Sequence, residues 1–269
     1  MQGASRSALA GSREVLSQVL DQASDRGALG EELLQVADLV AGNAVLRRAL
    51  ADPSREGGEK AELANRLLTG KVSESAQRVT ATVASQRWAS EADLSATLEA
   101  FGVESLLAQA EAAGRLTQVE DELFRFERIV DGTAELRSAL TDRRAPADSK
   151  AQVVHRLLDG RSAPETVRLA ELAATHRSTR FDHAVDGYLS IAARRQEQLT
   201  ATITTAVPLS GQQRERLGAA LGRHYDRSVR INEVVDPTVV GGIRVAIGDE
   251  VIDGTILSRL DEARRRMIS

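Results

Sequence analysis

The sequence contains no cysteine, so disulfides, thiolate nucleophiles and zinc–sulfur centres are excluded outright. Aromatic residues make up only 3% of the chain, so a core must be built from Leu, Val and Ala. That composition suits packed helices better than a large β-sandwich. Nowhere do about 18 apolar residues run consecutively, so no stretch reads as a membrane-spanning helix. The N-terminal MQGASRSALA lacks the apolar core of a signal peptide. Positive charge is not in excess either. The formal net charge is −4 at pH 7, which gives no global basic footprint for a nucleic-acid duplex. With 269 residues there is room for about two domains with real cores.

Motifs for chemistry are missing as well. A phosphate loop needs two glycines, Lys and Ser/Thr at fixed spacing, so that backbone amides, ammonium and hydroxyl surround phosphate and magnesium. Here Gly70-Lys71 is followed by Val72, and Asn65 stands where the first glycine belongs. Gly241-Gly242 opens a strand without a dinucleotide fingerprint, which points to positive φ or close backbone packing. His155, His176, His183 and His224 form no zinc-type pair and read as surface or packing residues. Asp249, Glu250 and Asp253 are accounted for by a hairpin and a helix cap. No nucleophile elbow is visible. The expectation is a protein that works by binding other proteins, with no catalytic residue, metal or cofactor.

What is present is helical periodicity, written twice. Ser5–Gly27 has the apolar stripe Leu9, Leu16, Val19, Leu20, Ala23, with Gly27 as its stop. Leu33, Val36, Ala37 and Val40 mark a second helix, and Asp52-Pro53 breaks a short third. EKAELANRLLTG gives a helix ending at Gly70, and Ser73 caps another through Arg87. Shifted by 90, residues 31–87 align with 121–177 without a gap, and 19 of the 57 positions are identical. Chance would give roughly a tenth in so Ala/Leu-rich a chain. The RLLxG runs at Arg66–Gly70 and Arg156–Gly160 recur in register, which reads as an internal duplication. Ser162 with Glu165 is read as a capping box in the second copy. For the first helix a shift of 87 works better, pairing Val19 with Leu106 and Leu20 with Leu107.

This leaves one stretch, Ser90–Gly114, with two assignments: last helix of the first copy and first helix of the second. Ser90 with Asp93 suggests a capped start and Gly114 a stop. Gly102 is the expected place for a kink or a change of partner, with Ser90–Phe101 packing on copy one and Val103–Gly114 on copy two. If helical throughout, the stretch would be a strut of roughly 37 Å at 1.5 Å per residue.

After Gln198 the composition shifts to β-branched residues. LTATITTAVPLS and SVRINEVVD read as strands, and Ser210 with Gln213 starts a helix. Ile243, Val245 and Ile247 alternate with Arg244 and Ala246 before a Gly248-Asp249 turn. Asp253 is read as the cap of a final amphipathic helix with Ile256, Leu257, Leu260 and Met267. The expected architecture is mainly α: helical bundles at 1–101 and 102–199, then a small α+β domain at 200–269.

VDPTVVGGIRVAIGDEVIDGTILSRL, residues 235–260, carries a specific pattern: Asp236-Pro237, Gly241-Gly242, Gly248-Asp249 and Ile252-Asp253-Gly254-Thr255. With the upstream TTAVPLS it resembles the delta subunit of F-type ATP synthase, the counterpart of the mitochondrial oligomycin-sensitivity-conferring protein. The resemblance covers about residues 100–269. The extra bundle looks like the actinobacterial version, in the form not fused to a membrane-anchored b-type subunit. It implies a non-catalytic peripheral-stalk subunit, one per complex, at the cytoplasmic face of the cell membrane and not inserted in it. The implied partners are the N-terminal helices of alpha subunits and the b-type stalk. It further implies an apolar groove for the alpha helix between the first and fifth bundle helices. Carried over, the groove residues are Leu16, Val19, Leu20, Ala76, Val79 and Val83 in copy one, and Leu106, Leu107, Ala110, Thr166, Leu169 and Leu172 in copy two. Half or more of these also fit a plain bundle core. Asp236, Pro237, Gly241, Gly242, Gly248, Asp253 and Gly254 are read as fold-determining. A generic helical adaptor would share the duplication but not this motif. Nucleic-acid binding on the sheet would call for strand aromatics, which 200–207, 228–235 and 239–247 lack.

Overall fold

In the computed structural model, residues 3–142, 144–176, 179–196, 199–225, 229–239, 241–247 and 250–253 are described. The element that organises the first part is α6, Glu91–Ala112, a single helix of 22 residues. It is about 33 Å long at 1.5 Å per residue. Five helices precede it: α1 (Gly3–Gln22), α2 (Arg26–Gly42), α3 (Ala44–Ala51), α4 (Gly57–Leu68) and α5 (Glu74–Ser85). Five follow: α7 (Leu116–Gly132), α8 (Ala134–Thr141), α9 (Ala147–Leu158), α10 (Pro164–Thr175) and α11 (Phe181–Gln196). The middle of α6, Phe101–Ala108, is buried on every side, as a helix packed between neighbours requires. Leu94, Leu98 and Phe101 enter one core with Leu16, Leu33, Val79 and Val83. Val103, Leu106, Leu107 and Ala110 enter a second core with Val119, Leu123, Phe126, Leu169 and Val185.

Gly102 does not interrupt the helix. It serves another purpose, close approach of two backbones. A Cβ on Gly102 would lie 2.6 Å from Leu34 Cγ and 3.1 Å from the Gly30 carbonyl oxygen. A Cβ on Gly30 would lie 3.0 Å from the Gly102 carbonyl oxygen and 3.0 Å from Leu106 Cγ. α2 and α6 therefore cross where neither has a side chain. The crossing exchanges residues between the cores. Leu34 of α2 belongs to the second core and Ala108 of α6 to the first.

Helix ends correct the sequence expectations in three places. α1 ends at Gln22, and Gly27 is the second residue of α2. Asp25 caps α2 by accepting from the Ala28 amide at 2.8 Å, and this cap sets the boundary. Ser90 caps α6 through the Ala92 amide, but Asp93 turns away to accept from Ser5 Oγ at 2.6 Å. Ser162 and Glu165 form no capping box. Ala163 and Pro164 start α10, and Glu165 pairs with Arg115 at 2.6 Å. Gly114 does end α6, with φ +69° and two Schellman hydrogen bonds, Arg115 N to Ala110 O and Gly114 N to Glu111 O.

Positions 90 residues apart repeat their hydrogen bonds. Glu32 accepts from the Ser73 amide at 3.1 Å, and Glu122 from the Ala163 amide at 2.9 Å. Arg47 donates to the Ala41 carbonyl, and Arg137 to the Asp131 carbonyl. Gly70 and Gly160 both take positive φ, at +72° and +67°, after their RLLxG helices.

The chain divides into two compact units after Ala192. The second unit carries a four-stranded sheet of order β2-β1-β3-β4, from β1 (Leu199–Thr205), β2 (Val229–Val235), β3 (Ile243–Ile247) and β4 (Glu250–Asp253). β1 pairs parallel to β2 and antiparallel to β3, which pairs antiparallel to β4. The parallel pair needs a crossover, supplied by α12 (Gly211–Tyr225). Here the capping box is complete: Ser210 N donates to Gln213 Oε1 at 2.9 Å and Gln213 N to Ser210 Oγ at 3.3 Å. Ala201, Ile203, Val245, Ile247 and Leu221 form its core. The Gly248-Asp249 turn, Gly254, Thr255 and the expected final helix lie outside the described residues. Among the described residues no helix is long and apolar enough to cross a membrane.

The crossing predicts opposite outcomes for two Gly→Ala substitutions. Gly102→Ala overpacks the crossing at about 1–3 kcal/mol while regaining up to ~1 kcal/mol of helix propensity, so a net loss is expected. Gly187→Ala in α11 meets nothing within 4 Å and should be neutral or stabilising. Chemical denaturation midpoints of the two variants check this.

Candidate interaction surfaces

The twelve groove residues carried over from the resemblance can now be located. In the first bundle Leu16, Val19 and Leu20 of α1 and Ala76, Val79 and Val83 of α5 are all buried, none more than 3% exposed. They point at each other, because α1 and α5 pack directly. Arg78 donates to Gln18 Oε1 at 3.1 Å across the rim of that seam. In the second bundle Leu106, Leu107, Ala110, Thr166 and Leu169 are buried, and Leu172 is partly buried against the same core. Thr166 Oγ donates to Glu122 at 2.6 Å and so faces inward. In the free chain these side chains are bundle core and do not form an open apolar trough.

The surface beside the seam differs between the copies. In the first, a shallow depression between α4 and α5 is lined by Ala61, Asn65, Gln77, Arg78, Ala81 and Thr82. The corresponding place between α9 and α10 has Ala151, Gln152 and His155. There Glu171 replaces Ala81 and holds His155 Nδ1 at 2.9 Å. The first depression has Ala81 where the second has Glu171, and the second is bridged by the His155–Glu171 hydrogen bond.

Between the bundles lies a polar cluster that no sequence motif announced. Arg168 of α10 grips Glu31 of α2 bidentately, at 2.6 and 2.8 Å. The Glu31 carboxylate raises the Arg168 pKa further. His176 Nε2 lies 2.8 Å from Glu99 of α6, while the Thr179 amide donates to Nδ1 at 3.1 Å. Tyr188 is buried beside this cluster, and burial pushes its phenol pKa well up. Gly30 was the available signal: a glycine inside a helix with Glu120 at the equivalent position of the second copy.

Glu122 ties α7 to the start of α10. Burial alone would raise its carboxyl, but hydrogen bonds from Thr166, Gln118 and the Ala163 amide outweigh that and hold it below the usual glutamate value.

In the second unit Asp236 accepts from the Thr238 amide and hydroxyl at 2.9 and 2.7 Å, which lowers its pKa. Its own amide donates to the Thr205 carbonyl, so the Asp236-Pro237 turn is tied to β1. Gly241 and Gly242 take φ of +69° and +84°, as a strand entry reserved for glycine requires. Asp253 ends β4 opposite Arg244, and the helix it was expected to cap lies outside the described residues. Glu233 accepts from the Leu209 amide and Arg214, tying β2 to the entrance of α12. Among the described residues no cluster of three or more His, Asp or Glu is placed to hold a metal.

The described residues thus form helical bundles with polar joints and a small sheet unit. Comparison with known proteins is specific. The family model for the ATP synthase delta (OSCP) subunit matches residues 103–267. An ATP synthase subunit delta of Kineococcus radiotolerans is 46% identical over 267 residues, covering 98% of this chain and 97% of that protein. The Streptomyces griseus protein of the same name is 44% identical over 269 residues, covering 99% of each chain. That of Nocardia farcinica is 42% identical over 268 residues, covering 99% of this chain and all of the other. A chain of the Toxoplasma gondii mitochondrial ATP synthase hexamer overlaps 62% of this chain and 95% of its own length at 18% identity. Its TM-score of 0.28 is too low to bear on the fold. The chain belongs to the ATP synthase delta (OSCP) subunit family, whose members are non-catalytic.

Two predictions follow from this geometry. Leu16→Asp puts a charge at a fully buried position and should cost several kcal/mol, a large share of the roughly 5–15 kcal/mol of a typical domain. Loss of the cooperative melt of the first bundle is the expected readout. For Glu122→Gln, wild type should be more stable at pH 7 by about 1–3 kcal/mol, as for hydrogen bonds to a charged group. Because the folded carboxyl sits below its unfolded value of 4.5, this advantage is complete above that pH. It disappears as pH falls through the folded value, which melting curves of both proteins between pH 3 and 7 would show.

Proposed function

We propose that the chain is a peripheral-stalk subunit of the proton-translocating F-type ATP synthase, linking the catalytic head to a b-type stalk. The observation that carries the reading is full-length similarity to delta subunits, with both bundles and the sheet unit inside the aligned span. The role is mechanical: it resists co-rotation of the head with the rotor. Affinity and stiffness serve that role, and no reactive group is needed.

The first 101 residues are read as one duplicated bundle and residues 102–199 as the other. The hydrogen bonds repeated at a spacing of 90 support that reading. Residues 200–269 form the small α+β domain, and the motif positions there act on the fold, as the Asp236 turn and the two positive-φ glycines suggest. Alpha-subunit N-terminal helices dock along the α1–α5 seam, and along the α6–α10 seam of the second copy. Since the twelve predicted groove side chains are core, a docked helix rests on the rim beside them or opens the seam. The first copy, with Ala81 where the second has the Glu171–His155 bridge, is the better alpha-binding seam. One copy serves each complex, peripheral at the cytoplasmic face of the membrane.

The test is copurification of the full chain with alpha and b subunits. A tagged chain should retain both. Titration with an alpha N-terminal peptide should then give saturable binding that Ala81→Glu weakens at least tenfold, by placing in the first copy the carboxylate found in the second. Failure to retain alpha or b would overturn the proposed role.

A further inference from the structure

On the duplication reading given above, α6 and α10 of the second copy correspond to α1 and α5 of the first. A helix of the other copy, α2, is seated on α6 and reaches α10. A Cβ on Gly27 would lie 3.6 Å from Gln109 Cγ, one on Gly30 3.0 Å from Leu106 Cγ, and one on Gly102 2.6 Å from Leu34 Cγ. Rising numbers on α2 meet falling numbers on α6, so the two helices run antiparallel. On the side of α10, the Glu31 carboxylate accepts from Nε and Nη2 of Arg168 at 2.6 and 2.8 Å. Asp38, about two turns on, adds its charge to those of Glu31 and Glu99 beside Arg168 and His176. The chain thus holds a worked case of a helix lying on this pair of helices, with an arginine of the second helix closed on its carboxylate.

The equivalent place on the first copy is uncovered. Shifted back by 87, Gly102, Leu106 and Gln109 become Val15, Val19 and Gln22 of α1, and shifted back by 90, Arg168 becomes Arg78 of α5. Val15 is half-buried, and Gln22 and Arg78 are exposed. The duplication carries an arginine at this position in both copies, paired with a carboxylate in one and not in the other. Arg78 donates to Gln18 Oε1 at 3.1 Å and, among the described residues, joins no ion pair. Two acids stand nearby: Glu74, one turn before Arg78 on α5, and Glu14, one turn before Gln18 on α1. Both are exposed and neither pairs with Arg78. A helix lying here meets one unpaired cation over the seam, flanked by carboxylates that repel any acid set elsewhere.

We propose that the helix docked on the first copy repeats the seating of α2 on α6 and α10: it lies antiparallel along α1 over Val15 and presents a carboxylate to Arg78, as Glu31 does to Arg168. This rests on the docking of an alpha-subunit N-terminal helix proposed above, and it states what that helix carries. It has an Asp or Glu facing Arg78 and, three positions on, an apolar residue resting on Val15, as Leu34 follows Glu31. It differs from α2 in one respect. Val15 stands where α6 has Gly102, so the backbones stay further apart and the contact is made through side chains. The second seam shares its rim with α2 and the first does not, which ranks the first as the place for a helix from outside the chain.

The test titrates the full chain with a peptide spanning the alpha N-terminal helix. Arg78→Glu should weaken binding about tenfold, because reversal turns an attraction into a repulsion, and should leave the melting temperature of the free chain unchanged. Arg48→Glu, the same charge change at an exposed position of α3, should bind as wild type does. One Asp or Glu of the peptide changed to Lys should restore binding to the Arg78→Glu chain and weaken binding to wild type. An Arg78→Glu chain with wild-type affinity, equal losses in Arg78→Glu and Arg48→Glu, or no peptide acid whose reversal rescues Arg78→Glu overturns the proposal. A peptide that does not bind the wild-type chain overturns the docking on which the proposal rests, which separates the two failures.

Discussion

The crossing of α2 and α6 at Gly30 and Gly102 is the constraint on which the first unit depends. Ridges-into-grooves packing ordinarily keeps helix axes about 8–10 Å apart, with side chains between them. Here each glycine lies against the other's carbonyl, and the side chains flanking the crossing reach past the partner helix. This is how Leu34 of α2 reaches the second core and Ala108 of α6 reaches the first. A side chain at either glycine would push the helices apart and withdraw both residues. The crossing therefore decides more than one contact. It decides whether the two bundles are separate bodies joined by a helix or one body with two cores.

The polar pairs around the crossing act in the same sense. A single shared helix fixes the distance between two bundles but leaves rotation about its own axis to be fixed by something else. Arg168–Glu31 joins α10 to α2, off the axis of α6, and His176–Glu99 ties the end of α10 to α6 itself. Each is partly exposed, so each contributes modestly in energy. Their geometric effect is larger, because a bidentate guanidinium–carboxylate pair has one good orientation. Orientation is what an off-axis tie supplies.

Much of this was readable beforehand, for reasons that can be named. The repeat was visible because the residues that end helices, the RLLxG turns at Gly70 and Gly160, need a left-handed position and so keep their spacing. The sheet unit was visible because Ile243, Val245 and Ile247 alternate, and because Ser210 and Gln213 cap each other within four residues. Local rules failed where a distant group competed. Asp93 left its capping box for Ser5, and Glu165 left for Arg115. Asp25, a better cap than Gly27 is a stop, moved the first helix end. The groove residues show a different limit. A stripe at helical spacing reports that a face is apolar and does not report what covers it, so Leu16 and Val79 could not be told from contact residues until their burial was seen. Gly102 was read as a kink or a change of partner; the helix runs on through it and the partner does change there. A glycine inside a helix signals either weakness or proximity, and only the position of α2 decides between them.

For the proposed role, the shared helix has a mechanical consequence. On that proposal, torque taken up by the first bundle reaches the rest of the chain through this joint. If the bundles met through a loop, the load would fall on a few soft backbone dihedrals, and the joint would behave as a hinge. Through α6 the load falls instead on a hydrogen-bonded helix of 22 residues, most of them buried along its middle. Bending that helix at Gly102 would require opening the contact with Gly30 and removing Leu34 from the second core. The residue most permissive of bending in an isolated helix is thus placed where bending is most strongly opposed. Stiffness at this joint comes from the neighbour and not from the helix alone.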